Sequence, residues 1–298
     1  MLPLFQVDAF TSTPFAGNPA AVCLLTKELP NATLAAIAAE MNLSETAYVS
    51  LLVPGGGETS NAATAGTTAF EQGTHFKLRW FTPTVEVALC GHATLATAHV
   101  LFNILHNQAS AITFDTLSGP LVAKKGDNNT ISIDLPLNPC APDVVANYEE
   151  TVKVATGGLP VACVEYSPSS KKLLIRLVDS VTRAQLEALT VDPEQLRKTD
   201  LTNKVRGVIV TLLSDKKPYD FISRYFAPWA GIPEDPVTGS AHTVLVDYWS
   251  REFGGQTFFH ARQCSPRGGD LVVHLDRSTN RVVVGGATAT VFTGSLNV

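Results

Sequence analysis

The sequence predicts an α+β protein of two related lobes, each a curved sheet wrapped around a buried helix. Three observations point there. Short apolar or alternating runs that read as strands dominate the chain. Two helical segments are apolar nearly all round. The residues leading into those two helices recur about half a chain length apart.

The strand runs are 4–7, 20–25, 78–81, 112–116, 121–124, 130–135, 173–178, 208–212, 271–275 and 282–284. In 130–135, Ile131, Ile133 and Leu135 alternate with Ser132 and Asp134, the period-2 pattern of a half-buried strand. Gly126-Asp127-Asn128-Asn129 predicts a hairpin turn between two of these runs, and Gly285-Gly286 predicts a break in the last strand pair. Leu34, Ile37, Ala38 and Met41 fall on one helical face, with Asn31 the expected N-cap after Pro30. Ser180 is the expected cap of a helix running through Leu186 and Leu189. Two further helices open at Gly91 and Gly239, and their bodies, 94–102 and 243–249, are apolar on nearly every side. A helix apolar on every face is buried on every face. Strands flank both in sequence, so a sheet curved around each is the simplest arrangement.

The repeat carries the two-lobe reading. Arg79-Trp80-Phe81-Thr82-Pro83 precedes Cys90-Gly91-His92-Ala93-Thr94; Arg224-Tyr225-Phe226-Ala227-Pro228 precedes Thr238-Gly239-Ser240-Ala241-His242. Each copy is Arg-aromatic-Phe-small-Pro, a loop, then Gly opening a buried helix. Two copies exclude a solenoid. The stretch 53–73 is rich in Gly, Thr, Ala and Ser and reads as a mobile surface loop, either a lid following Glu45 or a tolerated insertion.

Composition narrows the function. The chain has 298 residues, 45% hydrophobic and only 16% charged, with a formal charge of −5. That balance argues for a large core and against disorder. It supplies no cationic surface for nucleic acid or for an acidic membrane. The start lacks a basic n-region and meets Asp8 early, and no apolar run is long enough to span a bilayer. Five cysteines (Cys23, Cys90, Cys140, Cys163, Cys264) are odd in number, widely spaced and never CxxC, which excludes a disulfide framework and a zinc ribbon. Sequons at Asn31, Asn42 and Asn128 carry no weight without a secretion signal. A soluble, cytoplasmic protein is expected.

The duplicated helix starts are the first chemical signal. A helix N-terminus presents unpaired N–H groups and the positive end of a dipole, and Gly admits a ligand to them. An anionic substrate, most simply a carboxylate, fits there; the alternative is that each Gly only permits close helix–strand packing. Polar His92 and Ser240 follow the two glycines. Asp235 either accepts or orients a proton, or caps the turn before Pro236, and Glu234 reads as its solvated neighbour. Glu45 interrupts a run of small and apolar residues. It is either exposed at a strand entrance or buried for a purpose, and burial would suit it to acid/base work. Cys90, beside a helix start, is either a proton shuttle or nucleophile, or an inert core residue. A two-base racemase needs a second thiol, and the repeat puts Thr238 there. His92, His99 and His106 fall at steps of seven, but no carboxylate partner is evident, so no metal site is expected. The motifs GxSxG, GxGxxG, HExxH and the P-loop are absent from the sequence.

Four motifs together resemble the phenazine biosynthesis-like isomerase family, most closely its animal members. They are Phe15-x-Gly17-Asn18-Pro19-Ala20-Ala21-Val22, Met41-Asn42-Leu43-Ser44-Glu45-Thr46-Ala47, Cys90-Gly91-His92-Ala93-Thr94-Leu95-Ala96, and Glu234-Asp235-Pro236-Val237-Thr238-Gly239-Ser240-Ala241-His242. Arg224 to Trp229 and Cys264-Ser265-x-Arg267-Gly268-Gly269 extend the similarity nearly end to end. The resemblance implies the diaminopimelate-epimerase-like fold: two pseudo-symmetric lobes, each a mostly antiparallel sheet rolled around a central helix, with the C-terminal segment returning to the first lobe. The expected division is 1–117 plus 286–298 against 118–285, with the active site in the cleft between.

The resemblance also implies a homodimer that needs no cofactor or metal. It assigns acid/base catalysis to Glu45, with His92, Asp235 and Ser240 as its catalytic partners. It places Gly91, Gly239, Asn18, Cys90 and Thr238 around a small carboxylate substrate. The implied reaction is a proton shift. Two other readings stand beside it: a regulatory or protein-interaction protein that keeps the fold without significant turnover, and a racemase or epimerase that depends on Cys90.

Overall fold

A computed structural model describes residues 1–52, 68–126 and 129–298. The chain divides into one unit of Met1–Asp134 with Gly285–Val298 and a second of Leu135–Val284. The crossing point differs from the expected one after 117. The strand at Gly119–Lys125 pairs with Ala111–Thr116 on one side and with the strand at 130–136 on the other, which keeps the whole hairpin in the first sheet.

The first unit runs β1 (Leu2–Ala9), β2 (Asn18–Leu25), α1 (Asn31–Met41), β3 (Glu45–Leu51), α2 (Thr68–Gln72), β4 (His75–Phe81), β5 (Glu86–Val87), α3 (Gly91–His99), β6 (Ala111–Thr116), β7 (Gly119–Lys125) and β8 (Thr130–Pro136). The last strand of the chain, β16 (Arg281–Leu296), returns and pairs antiparallel with β1. The order β1-β2-β3-β4-β6-β7-β8-β16, with β16 back on β1, closes the sheet around α3. Two neighbour pairs are parallel, β2 with β3 and β4 with β6, and each is joined by a helical crossover, as parallel strands require. β2 explains its own sequence. Ala21, Cys23 and Leu25 pack on Leu34, Ile37 and Ala38 of α1, while Ala20, Val22 and Leu24 are buried on the opposite face. A strand covered on both faces reads as a continuous apolar run.

α3 is buried from His92 to His99, and a π-helical turn over Val100–Ile104 continues it. Its polar residues do not contradict that burial. Thr94 and Thr97 turn their hydroxyls back onto the carbonyls of Cys90 and Ala93, at 2.6 and 2.8 Å. His99 is held between the hydroxyls of Thr288 and Thr290, each at 2.7 Å. The β1–β2 turn is set by two devices. The buried carboxylate of Asp8 accepts the N–H of Phe15 at 2.7 Å. Gly17 adopts φ +64°, where a Cβ would lie 2.2 Å from the carbonyl of Ala9.

The second unit runs β9 (Ala141–Asp143), α4 (Glu149–Thr156), β10 (Val161–Ser167), β11 (Lys172–Leu177), α5 (Arg183–Glu187), α6 (Pro193–Lys198), β12 (Gly207–Leu213), β13 (Phe221–Phe226), α7 (Gly239–Glu252), β14 (Phe258–Gln263) and β15 (Gly269–Asp276). It repeats the pairing sequence of the first. β10/β11, β12/β13 and β14/β15 are antiparallel, while β11/β12 and β13/β14 are parallel. β1/β2, β3/β4 and β6/β7 are the antiparallel counterparts. α7 is buried almost throughout, with Trp249 stacked on Phe221 at 5.5 Å. The α4, α5 and α6 helices cover the other face through Val152, Ala155, Leu186 and Leu196.

The repeat extends to side chains. Arg79 forms a bidentate pair with Glu86 at 2.7 and 2.8 Å, and Arg224 does the same with Glu234 at 2.7 and 2.7 Å. Each guanidinium also lies 5.1 Å from the ring centre of the Phe two residues on, Phe81 or Phe226. Glu234 is therefore not the solvated neighbour expected of it.

Other expectations are corrected. Asn31 is the first helical residue, not the cap. The cap position is Pro30 and makes no side-chain bond, and the Asn31 amide oxygen accepts from Arg79 at 3.0 Å instead. Thr182, not Ser180, caps α5, because only Thr182 has Gln185 three residues on to complete a capping box. Gly285 and Gly286 lie inside β16 and break nothing; a Cβ on Gly285 would lie 3.2 Å from the carbonyl of Ile131, so Gly permits close strand approach. Of the loop read over 53–73, residues 53–67 lie outside the described residues, and 68–72 form α2 with Phe70 buried. Of the predicted turn, 127–128 also lie outside them, but β7 and β8 pair antiparallel on either side. No described helix is long and apolar enough to cross a membrane.

The two arginine pairs give a stability test. Arg224 is the more buried, and its Nη1 also serves the carbonyls of Leu186, Glu187 and Leu189 at the end of α5. Arg224→Met, measured by urea unfolding, is expected to lose about 3–5 kcal/mol, the scale for removing one partner of a buried pair. Arg79→Met is expected to lose less, because water reaches both of its partners.

Candidate functional site

In the first unit the predicted residues converge on the start of α3. β2 and β3 are parallel, with Ala20 opposite Glu45, so both strands begin at the same end of the sheet. That brings Asn18, the first residue of β2, and Glu45, the first of β3, to the end where α3 begins. Both are buried, Glu45 only 7% exposed. The carboxylate is the buried alternative, not the exposed one. Glu45 Oε2 lies 3.2 Å from His92 Nε2. Ser44 Oγ lies 3.3 Å from the same nitrogen, 3.3 Å from Asn18 Oδ1 and 3.2 Å from the carbonyl of Pro19. On the other edge of the ring, Cys90 Sγ lies 3.5 Å from Nδ1.

His92 decides what this cluster is electrically. Burial pushes its imidazole down to about 3, against partial compensation from the Pro19 carbonyl. The ring is neutral at physiological pH, so its 3.2 Å contact with Glu45 is a close approach and not an ion pair. With the ring proton on Nε2, Nδ1 is left as an acceptor for the Cys90 thiol. Thiol, imidazole and carboxylate therefore lie side by side at the start of α3. The same three residues bring one donor atom each within 4.8 Å of the others, a set that a zinc ion could take. The carboxylate partner that spacing alone did not reveal is Glu45, delivered from a separate strand. His99 and His106 do not join: His99 is tied to β16, and His106 lies beyond the helix with φ 56°.

The second unit builds its own cluster at the start of α7. Asp235 is buried, and its Oδ2 accepts the hydroxyl of Thr238 at 2.6 Å. Gln263 ties the turn together: its Oε1 accepts the Thr238 N–H at 2.9 Å and its Nε2 donates to the Asp235 carbonyl at 2.6 Å. Asp235 thus braces the turn next to the helix start through the Thr238 hydroxyl. Ser240 is half-buried in the first turn. His242, one turn further on, is fully buried, with Nδ1 2.8 Å from the Thr238 carbonyl.

The helix starts match. Cys90 and Thr238 both stand at the cap position in extended conformation, φ −143° and −118°, and neither gives a side-chain cap bond. The Thr238 hydroxyl would be a natural cap but is committed to Asp235. The first-turn N–H groups that follow Cys90 and Thr238 are left to be satisfied by something other than their own cap.

Ser44 and Gln263 were not singled out from sequence as site residues, although they belong in these clusters. Ser44 sits inside one of the quoted motifs, and Gln263 immediately precedes another. Their types are common on surfaces, and only the fold reveals the bridging.

The family model for phenazine biosynthesis-like proteins (PhzC-PhzF) matches residues 7–294. A phenazine biosynthesis-like domain-containing protein of Bos taurus is 48% identical over 99% of this chain and 99% of its own. An uncharacterized isomerase of Pseudomonas aeruginosa is 40% identical over 100% of this chain and 99% of its own. The crystal structure of a phenazine biosynthesis protein of the PhzF family from Enterococcus faecalis has a TM-score of 0.81 at 36% identity, covering 100% of this chain and 99% of that one. The fold is the α+β, diaminopimelate-epimerase-like one.

The neutral histidines set a pH dependence. Burial lowers His92 to about 3 and His99 and His242 to about 4, from an ordinary value of 6.5. The unfolded chain therefore takes up protons first. Stability is fully present above the unfolded value and falls as pH drops below it, by about 1.4 kcal/mol per pH unit for each ring. Urea midpoints are expected to fall steadily from pH 7 to pH 4.5. A flat profile over that range would mean that the rings protonate within the folded protein.

Proposed function

The chain belongs to the phenazine biosynthesis-like protein family, and on that premise we propose that it is an isomerase that shifts a proton on a small carboxylate substrate without a cofactor. The observation that carries this reading is the buried Glu45 carboxylate 3.2 Å from a neutral His92 at an uncapped helix start. Glu45 removes a proton from one carbon. The electron pair left behind forms a new double bond, the old π pair takes a proton at a more distant carbon, and Glu45 delivers it. Atoms and charge balance with a single mobile carrier. His92 stands against the carboxylate through Nε2, and Ser44, itself bonded to Asn18, lies against the same ring nitrogen. The free N–H groups at Gly91 bind an anion with partial charges that are fixed before the substrate arrives.

The proposal extends to the second unit through the duplicated motif. The helix start at Gly239, with Thr238 and Ser240 beside it, is assigned to substrate binding, and Asp235 to orienting the turn and a proton. A second reading, an epimerase that depends on Cys90, is favoured by one observation: the thiol lies 3.5 Å from His92 Nδ1. Against it, Thr238 stands where the repeat would place a second thiol, and its hydroxyl is bonded to Asp235.

Deuterium exchange separates the two. The protein is incubated in D₂O with a panel of small unsaturated carboxylates and amino acids, and incorporation is followed by NMR. Glu45→Gln is expected to lower exchange by about 10²–10⁴-fold, the usual weight of a general acid/base. Cys90→Ala is expected to retain most of it. Exchange that survives Glu45→Gln and vanishes in Cys90→Ala would move the assignment to the thiol. A wild-type protein that exchanges nothing in the panel would remove the isomerase reading.

A further inference from the structure

The duplicated pairing lets the two units be compared residue by residue. In the first, Ala20 of β2 stands opposite Glu45 of β3, and Thr46 opposite Phe81 of β4. In the second, Lys172 of β11 stands opposite Gly207 of β12, and Val208 opposite Phe226 of β13. Matching Phe81 with Phe226 sets Gly207 at the position of Glu45 and Lys172 at that of Ala20. Where the first unit has a carboxylate, the second has no side chain, and it has an amine on the paired strand.

Lys172 is only 8% exposed. Its Nζ lies 5.9 Å from the centre of the Tyr225 ring, and among the described residues it makes no salt bridge or hydrogen bond. The Tyr225 carbonyl accepts the Asp235 N–H at 3.1 Å, so the amine stands over the residue that anchors the Asp235–Thr238 turn. Gly207 is required for this arrangement. A Cβ there would lie 2.1 Å from the Tyr225 hydroxyl, so the phenol fills the space that a side chain at the Glu45-equivalent position would use. Asp235 is the carboxylate whose charge acts on Lys172, but its Oδ2 is already taken by Thr238. A buried ammonium without a close counter-ion is unfavourable, and burial lowers this one to about 8.

We propose that Lys172 is an anion-binding residue of the second unit, completed by a carboxylate of the substrate seated beside the Asp235–Thr238 turn. The identification of that carboxylate with the substrate rests on the isomerase reading; the anion site itself does not. The other titratable and charged groups around Lys172 are Asp235 before α7, Tyr225 on β13 and Arg206 just before β12.

The test uses the whole protein labelled with ¹³C-lysine and malonate as the probe. The Lys172 Cε signal is assigned by its loss in Lys172→Arg. Its titration midpoint, near 8 in the free protein, is expected to move up when malonate is saturating, because a bound anion favours the charged amine. Lys172→Met is expected to weaken malonate binding by about 10–100-fold, the scale of one hydrogen bond to a charged group, while Lys172→Arg keeps most of it. A midpoint that does not move with malonate overturns the proposal, and so does a Lys172→Met protein that binds malonate like the wild type. A purely structural lysine would show both. If Lys172→Met does not fold, the wild-type titration decides alone. The midpoint shift is also measured in Glu45→Gln. Lost exchange in the wild type with an intact shift removes the isomerase reading and leaves this one; intact exchange with an unmoved midpoint does the reverse.

Discussion

Enclosing a helix on every side is the constraint from which the rest of this structure follows. The side walls of α3 and α7 are taken up by strands, so their hydroxyls are turned inward: Thr94, Thr97 and Thr243 all bond carbonyls of their own helix. The far ends are also occupied. His99 is clamped between two threonines of β16, and Asp247 in the last turns of α7 is paired with Arg277 at 3.0 Å. At the N-termini the cap residues give no side-chain bond to the first-turn N–H groups. A buried helix therefore concentrates ligand-binding capacity at one point, and the parallel β2–β3 pair brings Asn18 and Glu45 to that point in the first unit. The chemistry is located by the packing.

Much of this was legible in the sequence because it depends on local pattern. Apolar residues all round a helix can only mean enclosure, and Gly91 and Gly239 do open the two enclosed helices. Glu45, His92, Cys90 and Asn18 meet in one unit, and Asp235, Thr238, Gly239 and Ser240 in the other. What was not legible depends on partners distant in the chain. Glu234 looks solvated until Arg224, ten positions earlier on β13, is seen to grip it. Asn31 has the composition of a cap, but Arg79 of β4 competes for its side chain. Gly285-Gly286 reads as a break because a glycine needed for close strand approach has the same letters as one needed for a turn. Lys172 falls just outside the strand run 173–178 read from the sequence, and only the pairing register shows that it is enclosed opposite Gly207.

The two units diverged most where the repeat would have placed like against like. The pairing frame, the Arg–Glu pairs and the uncapped helix starts are all kept. The residues at the strand entrances are not: Ala20 faces Glu45 in one unit and Lys172 faces Gly207 in the other. A duplicated scaffold holds its backbone geometry through strand register, which does not depend on the side chains at strand entrances. Those entrance positions can therefore be filled with different chemistry without disturbing either core.

The charge state of His92 shows why that difference is useful. An imidazolium 3.2 Å from Glu45 would oppose any protonation of the carboxylate, by an amount that grows as water is excluded. A group that must alternately accept and release a proton works poorly under a fixed positive neighbour. Burial removes that charge by keeping the ring neutral, so His92 stands beside the carboxylate without neutralising it. On the proposed reading, the attraction that a substrate carboxylate needs must then come from groups that cannot compete for the moving proton. Backbone N–H groups at a helix start meet that requirement, because they carry only partial charge and do not titrate. The enclosed helix thus offers both halves of what the proposed reaction requires: an apolar surround that holds the histidine neutral, and a terminus suited to an anion without an acid of its own.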